Sequence, residues 1–351
     1  MGKKVFVGMS GGVDSSVAAM LLVEQGYNVT GVYMRNWSED LPGMKCPWAE
    51  DLADAKRVAV KLGIDFYVWD FEEAYREKVV EYMLDEFRAG RTPNPDVMCN
   101  QEIKFKLFYE RAREAGADFI ATGHYARILD GRLARAVDEN KDQTYFLYRI
   151  SEEALSHTLF PIGGMLKPEV KKLAAERGLH NAYKKESMGV CFVGEVSMRD
   201  FLKEYIDIQP GEIREAESER VLGVHEGAVF HTIGQRHGLY LSGVAGEVND
   251  GLPYYVVKKD LEQNIVYVSK NLNHEAIWTR ELRLSDVVWR TGPVPQKTQV
   301  TVRLRHRAPL VPATFDGETL RFEREVKRPA AGQSAVLYDG EICLGGGVIT
   351  G

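Results

Sequence analysis

Val5-Phe6-Val7-Gly8-Met9-Ser10-Gly11-Gly12-Val13-Asp14-Ser15-Ser16 is the stretch that decides the fold. Val5–Met9 is a short apolar run suited to a buried parallel strand. Two glycines follow, then a helical pattern with Val17, Ala18, Leu21 and Leu22 on one face. A glycine loop between strand and helix lets backbone N–H groups approach a ligand, and the helix N-terminus adds partial positive charge. Both suit phosphate. The loop has no Gly-Lys-Ser/Thr ending, so no Walker lysine follows it, and it lacks the GxGxxG spacing of a dinucleotide site.

Working outward, strand-like and helix-like patterns alternate. Asn28–Met34 reads as a strand, Glu50–Leu62 as a helix with Gly63 as its C-cap, Phe66–Phe71 as a strand and Glu72–Phe87 as a helix. Asn100–Ala115 reads as a helix and Phe119–Gly123 as a strand. Repeated βα units predict an α/β fold with a doubly wound parallel sheet, its ligand site at the C-terminal strand ends. After about residue 205 the helical period fades. Tyr254–Lys258, Ile265–Val268, Gln299–Arg303 and Ser334–Leu337 alternate like antiparallel strands. The expected domains are 1–204 (nucleotide-binding and catalytic), 205–274 (small, β-rich) and 275–351 (a C-terminal β-barrel).

The 351 residues are 44% hydrophobic and 27% charged, a globular composition that fits two or three domains. No apolar run reaches the ~18 residues of a membrane span, and no secretory pattern opens the chain, so a cytoplasmic location is expected. Net charge is −6: −4 over residues 1–200, −5 over 201–275 and +3 over 276–351. General nucleic-acid affinity is excluded, and any RNA surface must be local and include the last segment. Cys46, Cys99, Cys191 and Cys343 are too far apart for a zinc ribbon, a CxxC redox pair or a clustered iron–sulfur motif.

Cys99 ends Thr92-Pro93-Asn94-Pro95-Asp96-Val97-Met98-Cys99, and Asn100 is a good N-cap. This spacing predicts Cys99 at a helix N-terminus, where thiolate is favoured, with Asp96 in reach as an acid/base. A buried cysteine beside a turn aspartate fits the same spacing. Cys191, near Lys184 and Lys185, reads either as an activated thiol or as part of a core strand Val190-Cys191-Phe192. Cys46 and Cys343 read as small buried hydrophobes.

Ser10–Ser15 resembles the PP-loop of ATP pyrophosphatases, which cleave ATP between its α- and β-phosphates. The whole chain resembles the bacterial tRNA-specific 2-thiouridylases. The resemblance is carried by SGGVDSS (10–16), TPNPDVMCN (92–100), IKF (103–105), ATGHYAR (121–127), KDQTYFL (141–147), GVCFVGE (189–195), HTIGQRHGL (231–239), GQSAVLYDG (332–340) and CLGGG (343–347). It implies an ATP-dependent sulfurtransferase that adenylates O2 of the tRNA wobble uridine and installs sulfur from a persulfide.

By resemblance, Cys191 is the persulfide carrier, Cys99 the nucleophile and Asp96 part of the catalytic set, with a transient Cys99–Cys191 disulfide after turnover. Gly8, Met9, Ser10, Gly11, Gly12, Val13, Asp14, Ser15, Met34 and Gly123 would line the ATP site, Asp14 also facing Mg²⁺. Asn94, Pro95 and Asp96 would meet the target base. His124, Lys141, Asp142, Gln143, Arg305, His306 and Gln333 would contact the tRNA. His306 stands where the family often has an aromatic, and Glu186 where many relatives have Asp. A cysteine desulfurase or sulfur-relay protein would supply the sulfur. Arg303, Arg305 and Arg307 alternate, which on a strand gives a phosphate-facing stripe. Two other functions share parts of this pattern: an AMP-forming ligase for a small molecule, and a non-catalytic nucleotide-sensing RNA-binding protein.

Overall fold

The computed structural model describes residues 2–40, 48–185, 198–239, 241, 252–292 and 297–350. Cys46, Cys191 and the GVCFVGE block lie outside them. In chain order the first seven strands are β1 (Lys4–Gly8), β2 (Asn28–Arg35), β3 (Asp65–Asp70), β4 (Phe119–Thr122), β5 (Ala126–Leu129), β6 (Arg132–Arg135) and β7 (Thr158–Leu159). Five of them form a parallel sheet in the order β3-β2-β1-β4-β7. Val5, Phe6 and Val7 of β1 are buried, each stabilising the fold by about 1.5–3 kcal/mol. The order runs one way from β1 to β2 and β3 and the other way to β4 and β7. The switch point therefore opens between β1 and β4, where an open α/β sheet places its ligand. Helix α1 (Val13–Glu24) starts there and is buried along most of its length; α2 (Trp48–Leu62) packs beside it.

The helix expected from Asn100 begins five residues earlier. Pro95, with its preset φ, occupies the first turn of Pro95–Met98. The chain continues through a π-helical stretch, Cys99–Leu107, into Phe108–Glu114. Asn100 is no cap: its Nδ2 donates to the carbonyl of Asp96, 2.9 Å away. Cys99 sits a turn inside the helix and is 1% exposed, so the end-of-helix charge acts on it less than its spacing suggested.

The central domain is a four-stranded sheet of β8 (Gly211–Glu215), β9 (Val221–His225), β10 (Tyr255–Asp260) and β11 (Ile265–Ser269), in the order β10-β11-β8-β9. The last domain holds β12 (Trp278–Trp289), β13 (Thr298–Arg303), β14 (Val311–Phe315), β15 (Thr319–Lys327), β16 (Ser334–Asp339) and β17 (Ile342–Ile349). β12 pairs with β15 at one end and β17 at the other, and this closes a six-stranded barrel. Gly345 explains part of the CLGGG run. Its φ is +133°, and a Cβ there would lie 2.0 Å from the Val288 carbonyl oxygen on β12.

One connection was absent from the sequence reading. The β5–β6 hairpin leaves the nucleotide domain and pairs with β17 (Ala134 opposite Ile342), extending the barrel's sheet. The domains share core as well as strands. Cys99, Tyr145 and Tyr148 pack in one buried cluster with Val336, Tyr338 and Cys343.

Candidate active site

The loop after β1 supplies the first part of the site. Gly11 has φ +78°, and a Cβ on it would meet the Asp51 carbonyl oxygen at 2.3 Å. The backbone N–H of Ser10 donates to Ser15 Oγ, and the Ser15 and Ser16 hydroxyls donate to the Gly12 carbonyl. Gly123, one residue past β4, closes the other side of the switch point. Its Cβ would lie 2.5 Å from the Ser15 nitrogen, so only glycine fits. Met34 is partly buried, its Cε facing Gly8. Met9 and Val13 are buried, and their side chains belong to the core.

Asp14 faces a lysine that sequence reasoning missed. Lys167 Nζ lies 2.7 Å from both Asp14 carboxylate oxygens, and the Tyr125 hydroxyl donates to Oδ1 at 2.9 Å. Lys167 is buried at the start of the helix Lys167–Glu176. Pro168 behind it signals a helix start, but nothing local ties Lys167 to a loop 150 residues away. The chain thus places a cation beside the loop from elsewhere in the fold.

Tyr125 joins this loop to the next group. Its backbone N–H donates to Gln143 Oε1 (2.9 Å), and the Gln143 N–H donates to its carbonyl (2.9 Å). Lys141 is half-exposed. Asp142 is 1% exposed and accepts from the backbone of Ala136 and Thr144, the Thr144 hydroxyl and Arg303 Nη1 (2.6 Å).

Arg303 is therefore no part of a phosphate stripe. β13 ends at this residue, which turns inward to Asp142 and over the Tyr338 ring. Arg305 and Arg307 remain exposed beyond the strand, Arg307 with φ +62°. The His306 ring packs on Phe146, centroids 4.5 Å apart, and burial holds its pKa down at about 4.

The proline loop is held by the barrel. Gln333 Nε2 donates to the carbonyls of Thr92 (2.9 Å) and Pro93 (3.1 Å), and the Thr92 N–H donates to Ala331. The Tyr145 hydroxyl donates to the Ser334 carbonyl at 2.9 Å and also bonds the Asn94 side chain. Asn94, Pro95, Tyr145, His306 and Gln333 thus gather at the seam between domains. Asp96 is half-buried, and desolvation pushes its carboxyl above the usual range against the pull of Lys104. His124 is buried between Phe105 and Phe160, its Nδ1 2.8 Å from the Thr122 hydroxyl. Burial, with the charge of Lys104 adding to it, keeps His124 neutral. The His124 ring thus joins the strand-end glycine to the helical stretch Cys99–Leu107. Cys343 is buried, its thiol pushed up to about 12, which makes it inert. Cys191 lies outside the described residues.

Fold and site define a nucleotide-loop α/β domain followed by two β domains. Family models match in the same order: a tRNA methyl transferase HUP domain over residues 3–195, a tRNA methyl transferase PRC-barrel domain over 199–270, and an Aminomethyltransferase beta-barrel domain over 279–349. The chain is 47% identical to the tRNA-specific 2-thiouridylase MnmA of Idiomarina loihiensis, over 99% of this chain and 96% of that protein. Proteins of the same name from Shewanella putrefaciens (48%; 99% and 96% covered) and Listeria monocytogenes (47%; 99% and 94%) match as well. The chain belongs to the tRNA-specific 2-thiouridylase family of tRNA sulfurtransferases. A solved structure described as a 4-thiouridine synthetase–RNA complex with bound ATP aligns at 18% identity and TM-score 0.37, over 57% of this chain and 50% of that one. A likeness of that size carries no argument. No described helix is long and apolar enough to cross a membrane.

Proposed function

We propose that this chain replaces O2 of a tRNA wobble uridine with sulfur, consuming ATP and releasing AMP and pyrophosphate. The observation that carries the reading is the join at the switch point. The phosphate-type loop abuts Gly123, and the His124 ring beyond it packs on Phe105, centroids 5.8 Å apart, in the helical stretch Cys99–Leu107 that Cys99 opens. This supports a nucleotide site that continues into a thiol site.

Oxide is a poor leaving group from a urea-like carbonyl. Attack of O2 on the α-phosphorus of ATP forms a C–O–P bond and expels pyrophosphate, which leaves AMP as the group to be displaced. The loop's backbone N–H groups hold the departing phosphates, with Lys167 the nearby cation. Asp14 offers one carboxylate, and the described residues hold no cluster of three metal-ligating side chains. Asp14 is the residue that would hold Mg²⁺, which would supply charge neutralisation at the phosphates.

The terminal sulfur of a Cys191 persulfide bonds C2 as the C2–O bond to AMP breaks. Cys99 thiolate then attacks Cys191 Sγ, releasing the thiocarbonyl and leaving a Cys99–Cys191 disulfide. An external thiol reduces it with two electrons. A route in which Cys99 first frees hydrosulfide ends in the same disulfide. Asp96, its carboxyl raised above the usual range by desolvation, is the acid/base beside the base-contacting Asn94 and Pro95. Arg305 and Arg307 offer exposed cations to RNA, and the partly exposed Lys141, Gln143 and His306 would contact it as well. Asp142 and Gln333 act by holding this surface in place. The sulfur comes from a persulfide-bearing donor protein.

Purified chain with tRNA, ATP, Mg²⁺ and a persulfide donor is expected to give 2-thiouridine, AMP and pyrophosphate in equal amounts. Cys99→Ala and Cys191→Ala should lose the thiouridine while ATP affinity stays within about twofold. Unchanged product in the Cys191 variant, or none from wild-type chain with a verified persulfide, contradicts the reading. Thiol-independent ATP use with a small acceptor would point to the ligase alternative.

A further inference from the structure

The proline loop is gripped from a second side by the central domain, which no step above uses. Strand β10 carries a bulge. Val256 pairs with Val268 and Lys258 with Tyr267, so Val257 is an extra residue and the chain after it changes face. Lys258 lies over the Tyr267 ring. Lys259, opposite Val266, falls on the face of Val256 and Val268, which pack in the domain core. From there Lys259 Nζ donates to the Gly90 carbonyl at 2.9 Å. No carboxylate among the described residues makes an ion pair with it, and burial alone pulls its pKa down to about 8. A buried ammonium without a counter-ion weakens the domain that holds it, and a methionine would fill the same space at lower cost. The domain's own stability therefore does not account for Lys259. Gly90 is the foot of the loop. The helix Tyr82–Arg88 ends there, with φ +75° at Gly90, its N–H donating to the Phe87 carbonyl and the Arg91 N–H to that of Glu86. Leu261, just past β10, covers the same glycine: a Cβ on Gly90 would lie 2.4 Å from Leu261 Cδ1.

Residues 90–93 are thus fixed at one end by the central domain and at the other by the barrel, through Gln333 and Ala331. Asn94, Pro95 and Asp96 follow directly, and Cys99 comes one helical turn later. Pro93 and Pro95 restrict the chain between them, so a displacement at Gly90 carries forward along the loop. We propose that Lys259 is a positioning residue by which the central domain sets the proline loop against the barrel, and with it the residues that meet the uridine and the thiol behind them. The role of the loop rests on the sulfur-transfer reading. The grip on Gly90 does not.

The test uses full-length chain carrying Lys259→Met, Lys259→Arg, Gln333→Ala, or Lys259→Met with Gln333→Ala. In Lys259→Met, ATP should bind with wild-type stoichiometry and a Kd within about twofold, as an intact nucleotide site requires. Single-turnover formation of 2-thiouridine at saturating ATP should slow at least about tenfold, the scale of a misplaced reacting geometry. Lys259→Arg keeps a donor for the Gly90 carbonyl and should fall between methionine and wild type. Both clamps act on one short stretch, so the double variant should lose less than the product of the two single losses; independent sites would multiply. A second readout needs neither tRNA nor sulfur. Cys99 and Cys343 are each 1% exposed. In Lys259→Met, a thiol-alkylating reagent should label Cys99 at least about fivefold faster than in wild type while Cys343 stays protected, followed by peptide mass spectrometry. Wild-type rates of thiouridine formation and Cys99 labelling would overturn the proposal. So would equal labelling of both cysteines, an arginine variant no better than methionine, or a double variant equal to the product. If wild-type chain makes no 2-thiouridine, the sulfur-transfer reading fails, and the labelling of Cys99 still decides the grip.

Discussion

His225 and His231 face each other inside the central domain with ring centroids 5.4 Å apart. Desolvation lowers the pKa of both. For His231 it falls to about 4, with His225, Arg199 and Lys259 adding to the effect; for His225 a backbone contact from Asn264 opposes it. A histidine depressed in the fold binds its proton in the unfolded chain first. Stability is therefore whole above the ordinary 6.5 and is lost as pH falls from there toward 4, by at most about 1.4 kcal/mol per unit per histidine. His124 and His306 act in the same sense. Denaturant midpoints measured across this window should fall with pH, and His231→Gln should flatten the slope; a level wild-type profile would remove the argument. Sequence spacing marked Cys99 and Asp96 but could not give their burial, because burial comes from Tyr145 and the barrel. Lys167 and Lys259 were invisible for the same reason: they donate to groups 153 and 169 residues away.

The β1–loop–α1 unit was legible because strand, glycines and helix start are local signals. The start of the helix carrying Cys99 was misjudged because Pro95 competes with Asn100 for the first turn, and a proline preset for helix wins. The β5–β6 hairpin carried a strong local signal, Asp130-Gly131 with φ +50° and +74° between paired Leu129 and Arg132, unused in the sequence reading; its pairing with β17 depends on a strand about 200 residues away. Gly123 shows how tightly two elements meet. Gly123→Ala should force β4 from the loop and weaken ATP binding at least tenfold (about 1.4 kcal/mol), while tRNA binding stays near wild type. Calorimetric titration reads this directly, and unaltered ATP affinity would mean the loop is not the nucleotide site.

At the scale of the molecule, the barrel and the nucleotide domain form one working surface. The Asp142–Arg303 pair is almost wholly buried, and breaking such a pair by removing one partner costs about 3–5 kcal/mol. Gln333 holds the proline loop, and β6 adds to the barrel's sheet. On the proposed function, this is how a chain with net charge −6 would present RNA with a local basic edge, Arg305 and Arg307, at the seam. Composition and period foretold a parallel sheet followed by β domains. They could not foretell that Arg303, read as one of three phosphate contacts, is the bolt between domains, since that depends on the carboxylate opposite.

The central claim is that the uridine oxygen leaves as part of AMP. It is tested by single turnover on tRNA labelled with ¹⁸O at O2 of the wobble uridine, with mass analysis of the nucleotide product. One ¹⁸O in the phosphate of AMP, matched to the 2-thiouridine formed, is the expected result. Unlabelled AMP, or ADP as the product, would contradict it.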